Sequence, residues 1–142
     1  MTIRSFGQVC AVFALVGCGG TTLPRPVTGP HPPTDYIEVP YPPPAAAAEV
    51  VPPQPASDAV WVDGQWAWRD RYFAWQRGGW VRPPKDAYYA PWARYYTMDG
   101  TLYFADGTWR SSRDGQRLPE PQVLLPAVSP ANDETPEGVI SP

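Results

Sequence analysis

The sequence predicts a small all-β module, an antiparallel meander of two tryptophan-rich repeats stacked on a second meander as a sandwich or partly closed barrel, flanked by disordered proline-rich segments. Three observations predict it. All seven tryptophans fall between Trp61 and Trp109. Turn dipeptides recur every seven residues at Asp63-Gly64, Asp70-Arg71 and Arg77-Gly78, and seven is a five-residue strand plus a two-residue hairpin turn. Proline is missing from 57–82 and 92–118 but crowds the flanks, which separates residues able to form ladders from residues that are not.

The start of the chain is expected to be a leader. Met1 to Ser5 carries one positive charge, Arg4, and the apolar CAVFALVG that follows is too short to cross a bilayer as a permanent helix. Residues 1–17 therefore read as a secretion signal. It ends in Leu15-Val16-Gly17-Cys18, which resembles the lipobox of bacterial lipoproteins. The resemblance implies cleavage before Cys18, a diacylglyceryl thioether on its sulfur and a palmitate-type acyl chain on its new amino group, and two or more chains hold a protein firmly where one does not. Gly19 in place of aspartate after the cysteine implies, by the same resemblance, the outer membrane of a Gram-negative envelope. With Cys10 in the removed leader and Cys18 lipidated, no thiol is left for a disulfide, a metal or a nucleophile.

Residues 18–56 hold twelve prolines between Gly19 and Ala56, a composition expected to form an extended polyproline spacer of about 120 Å. His31, inside it, reads as a solvated side chain. Residues 119–142 return to proline, with Glu120, Asp133, Glu134 and Glu137 and no basic residue, and are expected to be a disordered tail. Within that tail QVLLPAV is apolar enough to add an edge strand.

The module, 57–118, starts with four short strands, 59–62, 65–69, 72–76 and 79–82. Two-residue turns at Asp63-Gly64 and Arg77-Gly78 set Trp61 opposite Trp66 and Trp75 opposite Trp80, while a middle turn of two or four residues sets Trp66 opposite Trp75. The four indoles form one row on one face, with Trp68 and Phe73 paired beside them. Val60, Val62, Gln65, Ala67, Arg69, Tyr72, Ala74 and Gln76 make the other, wet face. Turn dipeptides at Asp99-Gly100, Asp106-Gly107 and Asp114-Gly115 predict the second meander. There Tyr95, Leu102, Phe104 and Trp109 face inward, and Tyr96, Met98, Thr101, Tyr103 and Arg110 face outward. WVDGQW and WQRGGW resemble the WXXGXW-repeat family of exported bacterial proteins over about 61–84, and FADGTW is a degenerate third copy; the resemblance implies an envelope β-module and assigns no reaction.

The formal charge of -3 and pI near 5.0 argue against a nucleic-acid partner. Aspartates sit at turns, the module has no glutamate, and Ser111-Ser112 has no histidine to activate it, so no enzyme, cofactor or metal site is expected. The expected role is structural, an assembly contact with an envelope protein. The alternative is a peptidoglycan or glycan site on Tyr96, Tyr103 and Arg110, with Tyr88, Tyr89 and Trp92 near it, where flat rings stack on sugars and arginine meets carboxylates. Few aliphatic residues back the aromatic core, so a partner surface or a homo-oligomer is expected to complete it.

Overall fold

The computed structural model describes residues 22–130. The expected leader and Cys18 lie outside these residues, as does the part of the expected disordered tail beyond 130. The described chain is all-β, built of short antiparallel strands in small sheets that do not close into a barrel.

After a short 3-10 turn at Pro33–Asp35 come β1 (Ile37–Glu38), β2 (Val60–Val62), β3 (Gln65–Arg69), β4 (Tyr72–Gln76) and β5 (Gly79–Val81). The rest are β6 (Ala87–Ala90), β7 (Ala93–Tyr96), β8 (Leu102–Ala105), β9 (Thr108–Ser111) and β10 (Val123–Pro126). The expected meanders are replaced by two long hairpins, each interrupted once. In the first, β3 pairs with β4 from Arg69 opposite Tyr72 to Gln65 opposite Gln76, and β2 pairs with β5 from Val62 opposite Gly79 to Val60 opposite Val81. The register is continuous across the gap, so Asp63-Gly64 and Arg77-Gly78 are facing interruptions of one ladder and not turns. The tip is Asp70-Arg71, with Asp70 in the left-handed region at φ 57°. This dipeptide lacks glycine, yet aspartate tolerates that conformation better than most residues.

The tryptophan couples change accordingly. Trp66 faces Trp75 and Trp68 faces Phe73 as expected, with ring centres 5.2 and 4.8 Å apart. Trp61, however, faces Trp80 at 5.6 Å and not Trp66, and Trp75 does not face Trp80. WVDGQW and WQRGGW are therefore the two antiparallel sides of one interrupted ladder. Each word meets the other reversed, tryptophan to tryptophan at both ends, glycine near glycine in the middle.

The second hairpin repeats the plan. β7 pairs with β8, β6 with β9, and Pro91-Trp92 opposes Asp106-Gly107 at the interruption. Phe104 and Trp109 are consequently not partners; Trp109 faces Tyr89 and Phe104 faces Arg94.

The hairpins are layered through two clusters. Phe73 packs with Leu102, Phe104 and Val39, flanked by Trp66 and Trp68; Val81 packs with Tyr89 and Trp109, flanked by Val60 and Val62. The expected single aromatic row on one covered face is thus divided. Trp61 and Trp80 join Ala59 and Ala127 in a third cluster, closed by Leu23, Ala56, Leu124 and Leu125. The expected wet face is covered in part, since Gln65 and Ala67 are buried and Gln65 Nε2 donates to the carbonyl of Gly107 at 3.4 Å, while Arg69, Tyr72 and Gln76 stay exposed.

What covers the tryptophans is the segment expected to be a free spacer. Val39 is buried in the core, and β1 pairs with β8. The Trp66 indole donates to the carbonyl of Ala45 at 3.0 Å, that of Trp80 to Pro52 at 2.8 Å, and that of Trp75 to Glu49 Oε1 at 2.9 Å. The physical reason is complementary chemistry. A buried indole needs an acceptor, and a proline-rich extended chain has carbonyls with no ladder to occupy them. On the C-terminal side the edge strand expected in QVLLPAV forms, since β10 pairs with β5; the expected disordered tail is corrected over this stretch, where Val50 and Val128 also exchange backbone hydrogen bonds of 2.8 and 3.0 Å.

Candidate functional site

The tip of the second hairpin decides which tyrosines meet. Thr97 N–H donates to the carbonyl of Thr101, and Gly100 N–H to that of Thr97, both at 3.0 Å, with Gly100 at φ +88°. The loop therefore has three residues, Met98, Asp99 and Gly100, in place of the expected two. A slip of one residue turns every side chain of a strand to the other face. Tyr103 thus faces Tyr95 and not Tyr96, their rings 5.2 Å apart and inclined by only 14°. Asp99 reinforces the loop, because Thr97 Oγ1 and Thr101 N–H both donate to it and hold its carboxyl below the usual range. Gly100 has open space where a Cβ would sit, so Gly100→Ala incurs only backbone strain. It is expected to lower stability by about 1 kcal/mol in chemical denaturation, with Gly100→Asn milder.

Tyr36, from the proline-rich arm, meets Tyr95 edge to face, with ring centres 5.1 Å apart. The result is a cluster of Tyr36, Tyr95 and Tyr103, in which Tyr95 is 45% exposed. Tyr96, 57% exposed, opposes Leu102 on the other face. Beside this cluster β7 is an edge strand, paired among the described residues only with β8. Since Thr97 N–H points into the ladder, alternation aims the N–H groups of Arg94 and Tyr96 outward.

The other expected ligand residues are held by the protein itself. Arg110 is buried and faces Tyr88, its guanidinium donating to Asp35 and to the carbonyl of Gly115. The expected row of Tyr96, Tyr103 and Arg110 does not form, because the interruption at Asp106-Gly107 parts β8 from β9. Tyr88 donates to the carbonyl of Pro30 at 3.2 Å. Tyr89 is buried with its hydroxyl donating to Gln65 Oε1 at 3.1 Å, and burial pushes its phenol far above the usual range. Trp92 remains open, 41% exposed, with its other face stacked on Phe104 at 5.9 Å.

Sequence reasoning missed His31, Asp35 and Glu49, all in the arm. His31, expected to be solvated, is buried, with Nδ1 2.7 Å from Asp35 Oδ2 and Nε2 donating to the carbonyl of Pro91 at 2.7 Å. Glu49 takes hydrogen bonds from the Trp75 indole and from Gly78 N–H, the latter at 3.0 Å to Oε2. The one available signal was that these are among the few ionisable side chains in a segment otherwise built of proline and small apolar residues. Among the described residues, no group of three His, Cys, Asp or Glu side chains could hold a metal ion, and no helix is long and apolar enough to cross a membrane. The chain matches no family model, no curated protein sequence and no solved structure.

Proposed function

We propose that the chain is a non-catalytic, lipid-anchored module of the cell envelope with an assembly role, receiving an extended segment of a partner protein along the outer edge of β7. The observation that carries this is the edge itself, unpaired among the described residues and flanked by the cluster of Tyr36, Tyr95 and Tyr103. Strand addition draws affinity from main-chain hydrogen bonds and selectivity from the side chains beside them. Free edges are commonly blunted by proline, lysine or a bulge, whereas Ala93–Tyr96 carries one arginine and two tyrosines. The two hairpins, layered as a small sandwich, hold that edge rigid. A binding role is further supported by His31, whose two ring nitrogens are both engaged by the protein, leaving neither for a substrate. A glycan is the second reading, favoured by the exposed aromatic side chains Tyr95, Tyr96 and Trp92, rings of the kind that stack on sugars.

Arg94→Pro removes an outward N–H and leaves the β8 ladder intact. With a photo-crosslinker at Tyr96 in cells, it is expected to reduce the crosslinked partner about tenfold, one main-chain bond being worth roughly 1–1.5 kcal/mol. Retention on isolated peptidoglycan that survives Arg94→Pro and is lost in Tyr95→Ala would select the glycan. Neither a crosslinked partner nor retention would remove both readings.

A further inference from the structure

We infer that the folded domain rides directly on the bilayer, with the cleft between Arg25 and Trp92 turned to the lipid headgroups; this rests on the lipid anchor at Cys18 proposed above. A proline-rich spacer would carry the domain far from the membrane, but the arm spends its length on the domain. Leu23 already packs beside the cluster of Trp61 and Trp80, and the carbonyl of Pro24 accepts the Trp61 N–H at 2.8 Å. Tyr89 N–H donates to Val27 at 2.8 Å and Gly29 N–H donates back to Tyr89 at 3.0 Å. Only Gly19, Gly20 and Thr21 lie between Cys18 and the first described residue. Four residue steps reach about 14 Å at full extension, close to the radius of gyration of about 13 Å for a domain of this size. An anchor that short brings one face of the domain into the interfacial layer.

The face is the one on which the arm begins. Arg25, Pro26 and Thr28 wall a cleft of about 210 Å³ together with Pro91 and Trp92. A second cleft adjoins it, sharing Trp61, Asp63, Gly64 and Trp92 and adding Val51. Trp92, which walls both clefts, is 41% exposed, and Val27, between Pro26 and Thr28 in the arm, is 76% exposed. An indole with one face open suits the headgroup layer, where tryptophan collects. Arg25 adds attraction to anionic lipid, tempered by its ion pair with Asp63. The charges in the clefts are satisfied internally: Asp63 also accepts the Trp61 indole at 2.9 Å, and Glu49 accepts Trp75 and Gly78.

The test uses the full lipidated chain, purified from membranes and reconstituted into phosphatidylethanolamine/phosphatidylglycerol vesicles carrying a headgroup spin label. Tryptophan quenching is expected, falling about twofold or more in Trp92→Phe, since the other indoles are more covered. A flexible Gly/Ser insertion of about thirty residues between Thr21 and Thr22 is expected to abolish it while leaving Trp92 and the fold unchanged. Mass measurement of Cys18 separates the two claims. A lipidated, vesicle-bound chain showing no quenching, or quenching indifferent to the insertion, overturns the membrane-facing cleft and leaves the anchor standing. An unmodified Cys18 overturns the anchor and this inference with it.

Discussion

Gly78→Ala is expected to destabilise the protein by about 3 kcal/mol, the scale of overpacking at a site with no room to relax. A Cβ at Gly78 would lie 2.7 Å from the backbone nitrogen of Gly64, 2.8 Å from Glu49 Oε2 and 2.9 Å from Trp61 Cζ2. Two of those three neighbours cannot step aside, one being backbone of the facing strand and the other an indole buried against Trp80. The glycine is needed because the interruptions of the two strands face each other and a carboxylate from the arm is set between them. The same methyl at Gly100 meets open space, so the two substitutions separate crowding from strain. For a domain of this size the Gly78 variant should melt on the order of 10 °C below wild type. Glu49→Ala in the Gly78→Ala background is expected to recover only part of the loss, because the clash with Gly64 remains. A Gly78→Ala protein melting within about 2 °C of wild type would show that the strands do not approach there.

That glycine shows how far the sequence could be read. The recurrence of aromatic-x-x-Gly-x-Trp identified the residues that matter and the all-β class. It also gave the pairs Trp66 with Trp75 and Trp68 with Phe73, which depend only on a tip at Asp70-Arg71. The role of Gly64 and Gly78 was not legible, because Asp-Gly serves equally as a hairpin turn or as the pliable point of an interrupted ladder. A hairpin that continues past the interruption keeps Trp61 and Trp80 together and gains a longer ladder from the same residues. At the second tip the deciding feature was one residue of loop length, which moved Tyr95 to the place expected for Tyr96 and dissolved the row with Tyr103 and Arg110. The arm was misread for a different reason. Proline-rich chain has no periodicity to mark burial, and the cause of its docking lay across the sequence, in seven tryptophans with more N–H donors and apolar faces than their own strands could cover. Both halves of that match are compositional, and neither half alone discloses it.

Asp35→Asn and Arg110→Ala should each release the arm from the second hairpin. Asp35 Oδ2 meets both Arg110 Nη2 and His31 Nδ1, so one carboxylate ties the arm to β9 and, through the bond from His31 to Pro91, to the interruption of the second hairpin. The Arg110 side chain is only 6% exposed and that of Asp35 21%. Removing one partner from such a pair leaves an uncompensated charge out of water, a loss of about 3 kcal/mol. Asp35→Asn keeps the shape and strands Arg110. Arg110→Ala also removes a packed stem, yet discards a guanidinium whose Nε has no partner among the described residues. The two variants are therefore expected to lose similar stability, each showing faster cleavage after Glu49 by a glutamate-specific protease as the arm leaves Trp75 and Gly78. Acid should imitate them. Burial alone would raise the Asp35 pKa, but hydrogen bonds from His31 and Arg110 and the charge of Arg110 outweigh it and leave the value below the ordinary 3.8. A carboxylate depressed on folding stabilises the fold above its unfolded pKa, and that contribution fades as pH falls through the folded value. Wild type should thus lose stability below about pH 4, and Asp35→Asn should lose less over the same range. Parallel acid profiles for the two proteins would mean that the carboxylate does not hold the arm.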